Sequence, residues 1–108
     1  MEFCSRIVLV DKGAEVFGPE AKELVKLIDT QKSIKGAAAT MKISTAKAWK
    51  YIRAIEKCLG EAAVVKNNRG TDGYTVHISP ACRSLLEKYE SFEKKSQGAT
   101  EEFFKQIF

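Results

Sequence analysis

The chain has 108 residues, 44% of them apolar and 30% charged, with two prolines and seven glycines. That composition excludes a disordered, collagen-like or low-complexity chain, and the length suits one domain with one core. Net charge is +4, yet residues 32–70 carry nine cationic and two acidic side chains while the rest carries nine and twelve. A basic middle between acidic flanks is the footprint of a polyanion-binding face.

Ile7-Val8-Leu9-Val10 and Ala14-Glu15-Val16-Phe17 flank Asp11-Lys12-Gly13. Two short apolar runs around a glycine turn predict a β-hairpin. Pro19 then opens a helix with Glu20 in its first turn. Ala21, Leu24, Val25 and Ile28 recur at i, i+3, i+4, i+7, so residues 19–30 form an amphipathic helix. Ser33 caps a short second helix whose Gly36-Ala37-Ala38-Ala39 run lets a neighbour cross closely. Ser44 caps a third helix that runs to about Leu59 and ends at Gly60. Ala63–Lys66 and Tyr74–Ile78 read as strands around a polar, turn-rich tip. Ser79-Pro80 starts a last helix. Cys82, Leu85, Tyr89, Phe92, Ser96, Ala99 and Phe103 make a heptad-like seam along it, and Gly98 is a point where it could divide.

The expected fold class is therefore mainly α with small β. Its order predicts a winged helix-turn-helix with an N-terminal β-hairpin and a C-terminal dimerisation helix. Residues 1–79 form the core and residues 80–108 the helical dimerisation segment of the same single domain.

The third helix concentrates the chemistry. At about 100° per residue, Ala48, Ile52, Ile55 and Leu59 share one side, and Lys47, Lys50, Arg53 and Lys57 share the other. A helix with one apolar seam and one cationic face suits the DNA major groove. Recognition helices read base edges with their first turns, which selects Thr45, Ala46, Lys47, Lys50 and Tyr51, while the capping Ser44 belongs to the wider DNA-binding set. Arg53 and Lys57 fall where phosphates would lie. Trp49 lies off the seam and is expected at the core boundary, since large aromatics dominate small cores. Ser33 and Lys35 open the second helix, where backbone amides can hold a phosphate. At the wing, Lys66, Asn67, Asn68 and Arg69 offer charge and hydrogen-bond donors to duplex DNA.

These segments resemble the N-terminal DNA-binding domain of the ModE-type molybdate-responsive regulators, and more distantly the LysR-type winged helix. The resemblance runs from about Ile7 to Tyr89. It is carried by Phe17-Gly18-Pro19, Leu27-Ile28-Asp29-Thr30, Ser33-Ile34-Lys35-Gly36-Ala37-Ala38-Ala39, Ile43-Ser44-Thr45-Ala46-Lys47-Ala48-Trp49, Ile55-Glu56-Lys57-Cys58-Leu59-Gly60-Glu61 and Ile78-Ser79-Pro80. It implies a prokaryotic winged-helix homodimer on palindromic duplex DNA. Wings of that family tend to be glycine-rich, whereas this tip holds Gly70 and Gly73. The family senses molybdate through domains C-terminal to the DNA-binding part. The chain ends at Phe108, so molybdate binding is not carried over and no small-molecule effector is assigned.

The C-terminal apolar residues also call for a partner. Leu85, Tyr89, Phe92, Phe103, Phe104, Ile107 and Phe108 are too many for a solvated tail, and they are expected to form a dimer interface. Two recognition helices would then read half-sites one or more duplex turns apart. Cys4, Cys58 and Cys82 are odd in number and lack a CxxC pair, which fits free thiols in a reducing cytoplasm. With His77 they lack metal-ligand spacing, so no metal or other cofactor is expected. No apolar run is long enough for a membrane span, and the N-terminus lacks signal-peptide features. No phosphate-binding glycine loop or nucleophile elbow occurs, so no enzyme is expected. The resulting expectation is a cytoplasmic, sequence-specific regulator on double-stranded DNA. Its alternatives are a winged-helix protein-interaction module and a nonspecific architectural DNA-binding protein.

Overall fold

A computed structural model describes residues 1–68 and 74–108. It contains four helices and two small antiparallel hairpins, so the chain is mainly α with small β.

Strands β1 (Leu9–Asp11) and β2 (Ala14–Phe17) pair around Lys12 and Gly13. Both turn residues have positive φ, 51° and 80°. That is the twist of a two-residue hairpin turn, and it explains the glycine. The register slips between Leu9 and Val10. Such a bulge breaks strict alternation, and here adjacent Val16 and Phe17 are both buried.

Helix α1 (Pro19–Gln31) buries Ala21, Leu24, Val25 and Ile28, the stripe that its periodicity predicts. Lys32 ends it in the left-handed region and donates its N–H to the Ile28 carbonyl at 2.8 Å. Helix α2 (Ile34–Met41) is capped by Ser33, whose Oγ accepts from the Gly36 N–H at 2.9 Å. Ala37 and Ala38 are fully buried, so α2 lies close against α1 and α3. Lys42, again left-handed, turns the chain. Ser44 then caps helix α3 (Thr45–Leu59) by accepting from Lys47 N–H at 3.0 Å. Gly60 closes it with φ 74°.

Strands β3 (Val64–Asn68) and β4 (Tyr74–Ile78) pair from Val64↔Ile78 to Asn68↔Tyr74. Two hydrogen bonds dock this hairpin, and a third, between Ser79 and Ala63, closes its base. Ala63 N–H donates to the Glu56 carboxylate at 2.9 Å, Ser79 N–H to the Ala63 carbonyl at 2.8 Å, and Val76 N–H to the Lys32 carbonyl at 3.0 Å. The last bond holds β4 against the α1–α2 connection.

Helix α4 (Pro80–Ile107) is capped by Ser79 and runs 28 residues without a break. At about 1.5 Å per residue it is roughly 42 Å long and sets the 60 Å dimension of the molecule. Gly98 does not divide it. Nothing lies within 4 Å of a side chain placed there, so glycine relieves no crowding, and its helical cost of about 1 kcal/mol is borne by the flanking turns. The core also reaches past residue 79. Cys82, Leu86 and Tyr89 are buried against Phe17 and the rest of the core.

Tyr89 corrects the expected dimer face. It is 1% exposed, meets Phe17 edge-on at 4.9 Å, and donates its hydroxyl to the Ile7 carbonyl at 2.8 Å. Its seam spacing continues into solvent, but its ring completes the core of its own chain. Leu85 is half-buried against the same core. Phe104 packs between Phe3 at 5.1 Å and Phe108 at 5.2 Å. The residues before β1 thus run along α4, from Ile7 at Tyr89, through Ser5 at Gln97, to Phe3 at Phe104.

Candidate nucleic-acid interface

Helix α3 is oriented by what it buries. Ala48, Ile52 and Ile55 are at most 1% exposed, which turns Lys47, Lys50, Arg53 and Lys57 outward into solvent. Among the described residues none of these four cations is in an ion pair. Several cations elsewhere are matched. Arg6 donates to both Glu20 oxygens at 2.7 Å, and Arg83 to both Asp29 oxygens at 2.9 Å. Lys22 meets Glu93 at 2.6 Å and Lys26 meets Glu90 at 2.9 Å. Burial works against the Asp29 carboxylate, but hydrogen bonding and charge from Arg83 hold it below its ordinary range. Hydrogen bonding to Arg6 likewise holds Glu20 low. On α3 the four unpaired cations share one outward face with no acidic residue paired to them, whereas α4 carries Glu90 and Glu93 paired to lysines of α1.

Ser33 and Ser44 are at the helix starts, with their oxygens already accepting cap hydrogen bonds. Lys35 is exposed in the first turn of α2, and Thr45 and Ala46 are exposed in the first turn of α3. Tyr51 differs from the lysines. It is half-buried beside the β1–β2 hairpin, in a cleft shared with Glu15, Lys47 and Lys50. Burial pushes its phenol pKa up, and the charges of Glu20 and Glu15 add to that. Its ring is thus partly committed to the core.

On the second hairpin, Lys66 Nζ sits 4.4 Å above the Tyr74 ring. Asn67 Nδ2 lies 2.9 Å from His77 Nδ1 across the strands. Arg69 and the Asn68 side chain lie outside the described residues. Trp49 is half-buried against the core, as its helical position predicts.

The structure adds Lys32 and Tyr74, which sequence reasoning left out of the interface, and brings Trp49 to them. Lys32, Trp49 and Tyr74 share one cleft with Lys35 and Thr45. No local pattern marks this, because α1, α3 and β4 meet only in the fold. Glu15 and Glu20 border the cationic face on the hairpin side. Among the described residues, no three His, Cys, Asp or Glu side chains gather in a group able to hold a metal. No helix among them is long and apolar enough to cross a membrane.

Of the expected interface residues on α4, Phe92, Phe103, Ile107 and Phe108 are 52%, 61%, 73% and 75% exposed. Phe92, Phe103 and Ile107 fall within about 60° of one another on the helix, so they form one apolar stripe.

No protein-family model matches the chain, and no curated protein does.

Proposed function

We propose that residues 19–78 form a winged helix-turn-helix that binds double-stranded DNA with α3 in the major groove. The observation that carries this is the unpaired cationic face of α3, whose four cations are turned outward by a buried seam. The first turns of α2 and α3 and the β3–β4 hairpin lie beside it, where a duplex backbone would pass. The chain acts as a site-specific transcription regulator, of the kind its resemblance to the ModE-type domain implies. It performs no catalysis.

Its working unit is a homodimer formed by the outer half of α4. The stripe of Phe92, Phe103 and Ile107 stands clear of its own core. A second copy buries it and doubles the number of recognition helices on one duplex. The exposed free thiols Cys4 and Cys58 suit a reducing cytoplasm.

Fluorescence anisotropy with labelled genomic fragments, at two salt concentrations, tests this reading. Tight, salt-sensitive binding to a few fragments is the expected result. Equal binding to all fragments would make the protein architectural. No binding at low salt would move the search to protein partners.

A further inference from the structure

Between α2, α3 and β4 lies a cleft of about 270 Å³. Lys32, Lys35, Trp49, Tyr74 and Val76 are among the residues that line it. Lys66 approaches the same Tyr74 ring with its ammonium 4.4 Å from the centroid. Four other surface clefts each include at least one carboxylate: Glu15, Glu90 with Glu93, Asp11 with Glu15, and Glu2 with Glu101. This one is lined by none, and the carboxylate nearest its lysines is Asp29, 3.9 Å from the Lys32 ammonium.

We propose that this cleft holds one nucleoside phosphate unit. Its phosphate is paired by Lys32 and Lys35, and its ring system packs against Trp49 and Tyr74. The lysines alone would suit any anion. The two aromatic side chains beside them select an anion joined to a ring: the base of a free mononucleotide can stack on an aromatic face, and a duplex, whose bases are already stacked, offers its deoxyribose for packing. The unit comes either from the backbone of bound DNA or from a free mononucleotide. The first source rests on the proposed DNA-binding function, and the second does not.

Trp49 is the only tryptophan in the chain, so its emission reports this cleft directly. The experiment titrates the whole protein with a duplex of random sequence at low salt, with thymidine monophosphate, and with inorganic phosphate. Binding of the labelled duplex is followed separately by anisotropy.

The expected result is a saturable change in Trp49 emission with the duplex, the mononucleotide, or both. Tyr74→Ala and Lys32→Gln/Lys35→Gln each weaken that response by about tenfold. Tyr74 is 57% exposed, so its removal leaves the core intact. A response to the mononucleotide without duplex binding would support the cleft while refuting the DNA-binding reading. A response to the duplex alone assigns the site to the DNA backbone. The proposal is overturned if Trp49 is silent to both ligands, whether or not the duplex binds. It is equally overturned if inorganic phosphate matches the mononucleotide, or if the variants respond as the wild type does.

Discussion

Replacing Lys47 and Lys50 by alanine removes two of the four outward cations of α3. Neither is in an ion pair among the described residues, so no partner is orphaned. The Ser44 cap survives, because it uses the backbone N–H of residue 47. Alanine is also a better helix former than lysine, so the fold should hold. A lysine docked in the major groove displaces condensed counterions much as one at a phosphate does, and each contributes about −0.9 to the log–log dependence of affinity on salt. The double variant should therefore have a slope shallower by about 1.8 per protomer. Between 0.1 and 0.3 M salt, the wild type should lose about sevenfold more affinity per protomer than the variant does. Anisotropy titrations on one labelled duplex across that range measure the slope. Lys88→Ala/Lys95→Ala on α4 changes net charge equally and serves as the control. An unchanged slope in the α3 variant, or an equal change in the control, would refute major-groove docking of α3.

Ala38→Leu adds bulk where α2 crosses its neighbours with no exposed surface, and should cost about 3 kcal/mol in urea unfolding. Ala39→Leu, on the exposed side of α2, should change little, and similar losses in both would contradict the close crossing. Burial pushes the Cys82 thiol up to about 11 from its ordinary 9.0. The folded state then holds a proton that the unfolded state releases, so stability should be full below pH 9 and fall by about 2 to 3 kcal/mol towards pH 11. Cys82→Ala should flatten that alkaline decline, and a thiol reagent should find two reactive cysteines in the native protein and three after unfolding. Glu15→Gln removes a negative charge from the cleft it shares with Lys47 and Lys50, and should raise DNA affinity about two- to fivefold at low salt. If affinity falls instead, Glu15 orients the lysines and does not oppose the DNA.

The helix starts were readable from residue order because their causes are local, whereas β1 and β3 run on to Asp11 and Asn68, past the expected Val10 and Lys66. Ser33, Ser44 and Ser79 each cap a helix with an oxygen three residues from the amide it accepts from. Gly13 and Gly60 stand where φ must be positive. The seams of α1 and α3 follow from spacing alone, and with them the outward set of Lys47, Lys50, Arg53 and Lys57.

Spacing did not reveal what covers a seam. Tyr89 and Phe92 occupy equivalent positions on the α4 seam, yet one completes the core and the other faces solvent, because the globular part of the fold ends between them. Charge counts were similarly blind to pairing. Arg6, Lys22, Lys26 and Arg83 find carboxylates 14 to 71 residues away, whereas the α3 cations find none among the described residues. Residue order by itself determined the helices, the turns and the direction in which α3 presents its charge, since each depends on a few consecutive residues. Only the tertiary structure decided which cations stay unmatched, which aromatic rings are buried, and that Lys32, Trp49 and Tyr74 meet. Those outcomes depend on contacts between elements far apart in the chain, and they are set by packing.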